Sequence, residues 1–250
     1  MHPPIHYLEL HISLYIIQAT YVRQVEFMKY KTLFVDFYGT LVHEDDIAIK
    51  EITAELSKTA ENGTPEEIAS FWWSSFKELF ENSHGETFQT QRSLESQSLQ
   101  GTILHFNCKN VDDHIEKHLF SFWTNPGIFE DTMEFLNKSH LPICIVSNID
   151  RVDIISALNC HKIPFDALVT SEDARSYKPH REIFEAALSQ MGQDSSDVLH
   201  IGDSLTYDVL GAKNCGIDTF WLNRKNRMPT TDITPTYSGS SLLDIIPLCE

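Results

Sequence analysis

The sequence predicts an α/β fold in which a parallel sheet carries helices on both faces. Two observations support this fold class. From Pro126 onward, short apolar and β-branched runs alternate with helical patterns, which is typical of a parallel sheet. Between the first apolar run and the second, a block of about 80 residues is helical in pattern. The length of 250 residues is sufficient for one large domain or for a core with one sizeable insertion.

Five predicted strands form the sheet. The first is the apolar run at residues 32–35, which ends at Asp36 and is broken by Gly39 and Thr40. The other four strands are predicted at residues 143–146, 167–169, 198–201 and 219–222. Helices are predicted at about residues 129–137, between the second and third strands, at 181–191, at 207–214 and at 242–246. Residues 226–241 are rich in Thr, Ser and Pro, and we expect a loop there.

Four helices are predicted between residues 44 and 123. The first carries an apolar stripe on Ile47, Ile52 and Leu56. The second begins at Thr64-Pro65, a typical helix start, and carries aromatic side chains at helical spacing. The third covers about residues 89–104 and the fourth about residues 111–122. The predicted domain division is therefore an α/β core of residues 28–43 and 124–250, with a helical insertion of residues 44–123.

Residues 1–27 form an N-terminal extension to the predicted core. The stretch from residue 5 to residue 25 is rich in apolar residues, but Glu9, His11 and Gln18 interrupt it. It is too broken for a membrane span, and its start lacks the basic residues of a signal peptide. We expect the soluble domain to begin at Met28 and the extension to be dispensable. The alternative is that the extension forms an amphipathic anchor helix or an added edge element.

The charge balance excludes one class of partner. The chain has 19 Lys and Arg residues against 36 Asp and Glu residues, which gives a net charge of −17. A nucleic-acid partner needs a basic face and is not expected. An anionic substrate has to be captured by a local positive site or by a metal ion, against the overall field. The five cysteines are odd in number and include no C-x-x-C pair, so we expect a reducing, cytoplasmic environment.

Polar side chains follow three of the predicted strands. Asp36 ends the first strand, Ser147 and Asn148 end the second, and Asp203 follows the fourth. In open α/β sheets this edge is where ligands bind. A carboxylate at a strand end can act as a nucleophile, and Mg²⁺ between two carboxylates relieves their repulsion and takes phosphate oxygens. Lys178, which lies just before a predicted helix, can neutralise the remaining charge.

These residues fall into four ordered motifs that resemble those of the haloacid dehalogenase superfamily. The motifs are Asp36-Phe37-Tyr38-Gly39-Thr40-Leu41, Ser147-Asn148, Lys178-Pro179, and Gly202-Asp203-Ser204 with Asp208. The resemblance covers Thr32 to about Leu222. It implies a Rossmann-like core, and it implies that the helical insertion is a cap of the kind that follows the first motif and closes over the site.

The resemblance also implies roles for individual residues. Asp36 is expected to be the nucleophile, Ser147 to bind the transferred group, and Lys178 to balance charge. Mg²⁺ is the expected cofactor, and its expected ligands are Asp36, the backbone carbonyl of Tyr38 and Asp203, with Asp208 supporting the ion. Candidate substrate-binding residues are Thr40, Asn148 and Arg92, although Arg92 could equally be an ordinary surface charge.

Two departures from the family pattern point in opposite directions. Phosphatases of the family carry a second Asp two residues after the nucleophile, where this chain has Tyr38, as in the 2-haloacid dehalogenases. Those dehalogenases lack acidic metal ligands in the fourth motif and carry an early Arg for the halide. This chain has Asp203 and Asp208 in the fourth motif, and no Arg lies between Asp36 and Gln91.

The sequence therefore favours Mg²⁺-dependent hydrolysis of a small phosphorylated metabolite through an aspartyl-phosphate. Losing the general acid typically costs about 10²–10⁴ in rate, which a leaving group that is already acidic can tolerate. The alternatives are a metal-independent 2-haloacid dehalogenase and a non-catalytic binding relative. The expected partner is a small anionic substrate, either a phosphomonoester or a 2-haloacid, with no nucleic-acid or membrane partner.

Overall fold

The computed structural model describes residues 28–112, 114–229 and 231–250, so the predictions for residues 1–27 lie outside the described residues. The strands are β1 Thr32–Val35, β2 Ile143–Ser147, β3 Ala167–Thr170, β4 Val198–Gly202, β5 Asp218–Leu222 and β6 Tyr237–Gly239. The α-helices are α1 Asp46–Thr59, α2 Pro65–Glu81, α3 Gln91–His105, α4 His114–Thr124, α5 Thr132–Lys138, α6 Arg151–His161, α7 Ser171–Ala174, α8 Arg181–Met191 and α9 Gly211–Asn214.

The six strands form one parallel sheet in the order β3-β2-β1-β4-β5-β6, which confirms the predicted α/β fold class. Strand β1 is central, and its Leu33 lies opposite Ile143 on β2 and Leu199 on β4. The chain runs from β1 outward to β2 and β3 and then returns to the other side of β1 for β4. The strand order thus reverses beside β1, which is where open α/β sheets form a ligand crevice.

Both faces of the sheet are covered, as the continuous apolar character of its strands requires. All four residues of β1 are buried, and successive side chains point to opposite faces. Leu33 and Val35 pack into one hydrophobic core, whereas Phe34 packs into a second core with Ile183 and Phe184 of α8. A strand fixed from both sides holds the residue that follows it, Asp36, in a defined place.

The loop predicted at residues 226–241 contains a strand, and that part of the prediction is wrong. Tyr237–Gly239 adds β6 to the edge of the sheet, with Tyr237 opposite Phe220 of β5. The strand escaped prediction because it has three residues, two of which are Ser and Gly, so the backbone of β5 determines it and the side chains do not. The helix predicted at residues 207–214 is a π-helix, Leu205–Leu210, followed by the short helix α9.

The four helices predicted between residues 44 and 123 are present as α1 to α4. Helix α2 begins as expected, because the Thr64 side chain and Glu67 cap its first turn reciprocally. The aromatic side chains of α2 also contact the α/β core. The ring of Phe80 packs against those of Tyr177 and Tyr207, with centroid distances of 4.2 and 5.7 Å. The division of the chain into domains at these positions stays a prediction.

No helix in the described part of the chain combines the length and the apolar character needed to cross a membrane.

Candidate active site

The carboxyl ends of β1, β2 and β4 open into one cavity of about 570 Å³. Its wall includes Asp36 after β1, Ser147 at the end of β2, and Asp203 after β4. These are the three strand-end positions that the sequence singled out. Because β1 lies between β2 and β4, Asp36 sits between the other two, and Lys178 and Asp208 also line the cavity.

One half of the site consists of charges that balance one another. Lys178 donates hydrogen bonds from Nζ to Asp36 Oδ1 and Asp208 Oδ1, both at 2.6 Å, and all three side chains are buried. His200 Nε2 lies 3.1 Å from Asp208 Oδ1, and the backbone N–H of Ser204 donates to Asp208 Oδ2 at 3.0 Å. We call Asp36, Lys178, His200 and Asp208 the paired half.

The protonation states of the paired half follow from this geometry. Burial lowers the pKa of Lys178, but Asp208 and Asp36 more than compensate and raise it, so the ammonium keeps its charge. Burial acts to raise the pKa of Asp208, yet Lys178 and His200 hold it below its usual range. Burial raises the pKa of Asp36, with Lys178 opposing. The Lys178 ion pair favours the ionised form of Asp36, which is the form that can act as a nucleophile.

In the other half of the site, exposed cations neutralise the carboxylates only weakly. Burial, followed by repulsion from Asp208 and Asp36, raises the pKa of Asp203 to about 8. Glu44 lines the same cavity, and burial raises its pKa too. Arg227 Nη2 lies 3.1 Å from Asp203 Oδ2, and Lys225 Nζ lies 3.7 Å from Glu44 Oε2. We call Asp203, Glu44 and Arg227 the acidic half.

The acidic cluster fits a divalent cation. Carboxylate oxygens of Asp36, Asp203 and Asp208 all lie within 4.8 Å of one another. Hard oxygen ligands and an excess of negative charge are what Mg²⁺ requires. Two glycines make the close approach possible: a Cβ on Gly39 would lie 2.7 Å from Asp203 Oδ1, and a Cβ on Gly202 would lie 2.2 Å from Asp208 Cγ. Gly39 also has a φ of 85°, which favours glycine.

The hydroxyl of Tyr38, a residue of the cavity wall, is engaged by the backbone. The hydroxyl donates a hydrogen bond to the backbone carbonyl of Trp123, at the end of α4. The Trp123 indole in turn donates to Asp45 Oδ2 at 2.8 Å, just before α1. Burial raises the pKa of Tyr38 well above its usual value. The Tyr38 side chain thus ties the first motif to both ends of the inserted helices, and this geometry does not favour it as a proton donor.

The three candidate substrate-binding residues lie in different surroundings. Asn148 lines the cavity, and its amide exchanges two hydrogen bonds with the backbone of Lys178, at 2.7 and 3.1 Å. Thr40 is buried, and its Oγ1 has no hydrogen-bond partner among the described residues. The Thr40 carbonyl accepts from Arg224 at 2.8 Å. Asn148 therefore shapes the loop of Lys178, and Thr40 packs behind the site.

Arg92 is not brought to the cavity with the others. Its guanidinium binds the buried carboxylate of Asp153 through Nε at 2.8 Å and Nη2 at 2.5 Å, and it stacks over the ring of Phe120 at 4.2 Å. The backbone N–H groups of Gln91 and Arg92 donate to Asp150. Because Asp153 and Phe120 hold the guanidinium, the structure places Arg92 in a contact between the inserted helices and the core.

Comparison with known proteins decides the family. A family model described as haloacid dehalogenase-like hydrolase matches residues 33–222. The chain belongs to the haloacid dehalogenase-like hydrolases. The matched region contains every predicted site residue and the inserted helices.

Relatives of this hydrolase have more than one named activity. It is 44% identical to the pyrimidine 5′-nucleotidase YjjG of Escherichia coli over 82 residues, which is 32% of this chain and 36% of the nucleotidase. It is 24% identical to an (S)-2-haloacid dehalogenase of Pseudomonas fluorescens over 221 residues, or 84% and 92% of the two chains. A crystal structure of the L-2-haloacid dehalogenase RSc1362 superposes with a TM-score of 0.72 at 20% identity, covering 89% and 99% of the chains.

Besides Glu44, two residues of this hydrolase's site escaped the sequence analysis. His200 is a fully buried histidine on β4 that contacts Asp208, and its only sequence signal is a histidine inside an apolar strand. Arg227 lies in the segment predicted as a loop, and its signal is a cation shortly after a strand that ends at the ligand edge. Both depend on contacts that the sequence pattern does not define.

Proposed function

We propose that this hydrolase is a Mg²⁺-dependent phosphatase that acts on a small phosphorylated metabolite, with Asp36 as the nucleophile. The observation that carries the proposal is the charge imbalance of the site. Three carboxylates lie within 4.8 Å of one another, and Lys178 is the one fully buried cation beside them in the described part of the chain. A divalent cation would correct the imbalance and give a phosphate group a favourable place to bind.

The residues that would hold the ion are Asp36, Asp203 and the backbone carbonyl of Tyr38, with Asp208 in support. Asp208 already accepts from Lys178, His200 and Ser204, so it is better suited to hold the ion through water. When bound, Mg²⁺ supplies positive charge that neutralises the carboxylates and the phosphate oxygens.

Asp36 would perform the first chemical step. A carboxylate oxygen of Asp36 attacks phosphorus, a phosphorus–oxygen bond forms, and the bond to the leaving oxygen breaks with its electron pair. Lys178, 2.6 Å from Asp36 Oδ1, orients the carboxylate for this attack. Ser147 and backbone N–H groups after Asp36 would hold the transferred phosphoryl group. Water then attacks the phosphorus, which releases phosphate and restores the Asp36 carboxylate.

The hydrogen bond of the Tyr38 hydroxyl limits the kinds of leaving group that the site can release quickly. A phosphatase of this kind needs an acid to protonate an alkoxide, and the Tyr38 hydroxyl is engaged with the carbonyl of Trp123. Without that acid, the substrates cleaved fastest should be those whose leaving oxygen is already stable as an anion, such as acyl or aryl phosphates. The nucleotidase relative adds nucleoside monophosphates to the substrates that deserve testing.

A second candidate function is metal-independent dehalogenation of a 2-haloacid, which Tyr38 and the dehalogenase relative favour. The geometry argues against it in one respect. A 2-haloacid needs cations for its carboxylate and its halide, and the site offers an acidic half instead, with Asp203 and Glu44 in the wall. Arg92, the candidate substrate-binding cation, is held by Asp153.

The test is hydrolysis of p-nitrophenyl phosphate in Mg²⁺ and in EDTA. Wild-type protein is compared with Asp36→Asn and with Asp232→Asn, the same substitution on an exposed loop residue. The proposal expects activity that needs both Mg²⁺ and Asp36 and that survives in Asp232→Asn. Halide release from L-2-chloropropionate in EDTA, with no phosphate released, would replace the proposal with the second candidate.

A further inference from the structure

We infer that Arg227 is a specificity-determining residue that binds an anionic group, such as a carboxylate or a second phosphate, on the leaving-group part of the substrate. This inference deepens the proposed function and rests on it. The observations that carry it are the partners of Arg227, the way its turn is anchored, and its place across the sheet from Ser147 and Lys178.

Arg227 stands at the wall between two cavities. It lines the active-site cavity, and it also lines a neighbouring cavity of about 510 Å³ with Gly39, Lys50 and Lys225. Its side chain is 48% exposed, so a ligand can reach it. Both of its side-chain hydrogen bonds to the described residues come from one nitrogen, Nη2, which donates to the carbonyl and to Oδ2 of Asp203 at 3.1 Å each. A guanidinium has five N–H donors, so the donors on its other two nitrogens are unpaired among the described residues.

The backbone of Arg227 is held in place, whereas its guanidinium is accessible. The Asn223 side chain accepts from the backbone N–H of Arg227 at 2.8 Å and donates to its carbonyl at 2.9 Å. Arg224, within the same turn, forms two hydrogen bonds to Asp131, at 2.9 and 3.1 Å, and stacks over Phe129 at 3.9 Å. The turn after β5 is therefore anchored to the core, and it presents Arg227 at a defined place.

Two other cations close to the site already have strong partners. Lys178 binds Asp36 and Asp208, and Arg224 is held by Asp131 and Phe129. Arg227 has one carboxylate partner, Asp203, and Asp203 is the residue proposed to face Mg²⁺. An ion bound there would take over the neutralisation of Asp203 and weaken its attraction for the guanidinium. The guanidinium would then be available to a ligand anion, which it binds well in a fork geometry.

The sheet order indicates which part of the substrate Arg227 meets. Ser147 ends β2, Asp36 follows β1, Asp203 follows β4, and Arg227 lies beyond β5. Ser147 lies on the β2 side of Asp36, whereas the Arg227 guanidinium meets Asp203 on the β4 side. A phosphate held by Ser147 is therefore on the opposite side of Asp36 from the guanidinium. The group that reaches Arg227 is therefore the part of the substrate attached to the phosphate.

The test uses a pair of ligands that cannot be hydrolysed: phenylphosphonate and 4-carboxyphenylphosphonate. Their dissociation constants are measured by titration calorimetry in Mg²⁺ for wild-type protein, Arg227→Gln, Arg227→Lys and Arg181→Gln. Arg181 is the matched control, because it is an exposed arginine on α8 that lines neither cavity. Wild-type protein and Arg181→Gln should bind the carboxylated ligand at least about tenfold more tightly, as expected of a charge-assisted hydrogen bond. Arg227→Gln should lose this preference, and Arg227→Lys should keep part of it.

Two results would overturn the inference. One is a preference that survives in Arg227→Gln or is missing from wild-type protein. The other is an equal weakening of both ligands in Arg227→Gln, which would place the guanidinium on the phosphate itself. Melting temperatures confirm that the variants fold. Because phosphonate binding requires no turnover, the ligand preference can hold even where p-nitrophenyl phosphate is not hydrolysed, so failure of the proposed function is distinguishable from failure of this inference.

Discussion

The two halves of the site balance the charges of their carboxylates in different ways. In the paired half, Lys178 lies 2.6 Å from both Asp36 and Asp208, and three carboxylate or ammonium groups are buried together. In the acidic half, Asp203 has one partially exposed cation, Arg227, and its pKa is raised to about 8. The first half is balanced by a buried ammonium of the chain, whereas the second half has exposed cations, and the proposed Mg²⁺ would add positive charge there.

Under the proposed function, this difference separates the task of holding a nucleophile from the task of binding a cofactor. A nucleophile requires a fixed geometry at all times, which a buried ion pair provides. A metal site has to remain available, so its carboxylates cannot all be neutralised by the chain's own cations. Substitutions in the two halves should therefore have opposite consequences for stability.

The largest expected effect is the loss of catalysis in Asp36→Asn. An amide cannot form the aspartyl-phosphate, so kcat should fall by at least about 10⁴, as for removal of other covalent nucleophiles. Steady-state kinetics with p-nitrophenyl phosphate measure this, and the melting temperature checks folding. Retention of more than about a tenth of the wild-type kcat would remove Asp36 from the mechanism.

The next effect is on stability, in Lys178→Met. The substitution leaves Asp36 and Asp208 buried without their ammonium, and breaking a buried ion pair in this way typically costs about 3–5 kcal/mol. The free energy of unfolding, from urea denaturation, should fall by about that amount in the absence of Mg²⁺. Met has a similar length to Lys, so the loss would reflect charge more than packing. An unchanged urea midpoint would show that the paired half is not a stabilising unit.

Asp203→Asn should have the opposite effect on the metal-free protein. Removing an ionised carboxylate from beside Asp36 and Asp208 relieves repulsion, so the free energy of unfolding in EDTA should rise by about 1 kcal/mol at pH 8. The affinity for Mg²⁺, measured by titration calorimetry, should fall at least about tenfold because a ligand oxygen is lost. A protein that is less stable in EDTA and binds Mg²⁺ normally would contradict both statements.

The pH dependence of Mg²⁺ binding follows from the same residue. In the metal-free protein the pKa of Asp203 is about 8, above the value of about 3.9 in an unfolded chain. A proton on Asp203 competes with Mg²⁺, so the affinity should rise with pH up to about 8 and then level off. In EDTA this group should lower stability as the pH rises from about 4 to about 8, because the folded state holds the proton more tightly. Asp203→Asn should flatten both profiles.

The smallest effect is expected for Tyr38→Phe. The hydroxyl donates to the carbonyl of Trp123, so its removal should cost about 0.5–1.5 kcal/mol of stability. If this hydroxyl is not the general acid, kcat for p-nitrophenyl phosphate should change by less than about threefold. A fall of about 10² or more, with the pH profile losing its basic limb, would instead make Tyr38 a proton donor.

The sequence by itself determined the fold class and the carboxyl-edge residues of the site. Apolar runs that alternate with helices predicted the parallel sheet, and the residue that follows a buried strand is fixed by that strand alone. This is why Asp36, Ser147 and Asp203 were identifiable and do lie around one cavity. The helix start at Thr64-Pro65 was equally readable, because a helix cap is made by neighbouring residues.

Only the tertiary structure decided which partner each charged side chain has. Arg92 binds Asp153, which is 61 residues away, and Tyr38 binds the carbonyl of Trp123, which is 85 residues away. Arg227 meets Asp203 across a turn whose position depends on Asn223. A long side chain can reach any acceptor within several ångströms of its root, and local sequence does not define which acceptor the fold places there. Local sequence therefore predicts which strand a residue follows, whereas the partner of its charged side chain depends on the whole fold.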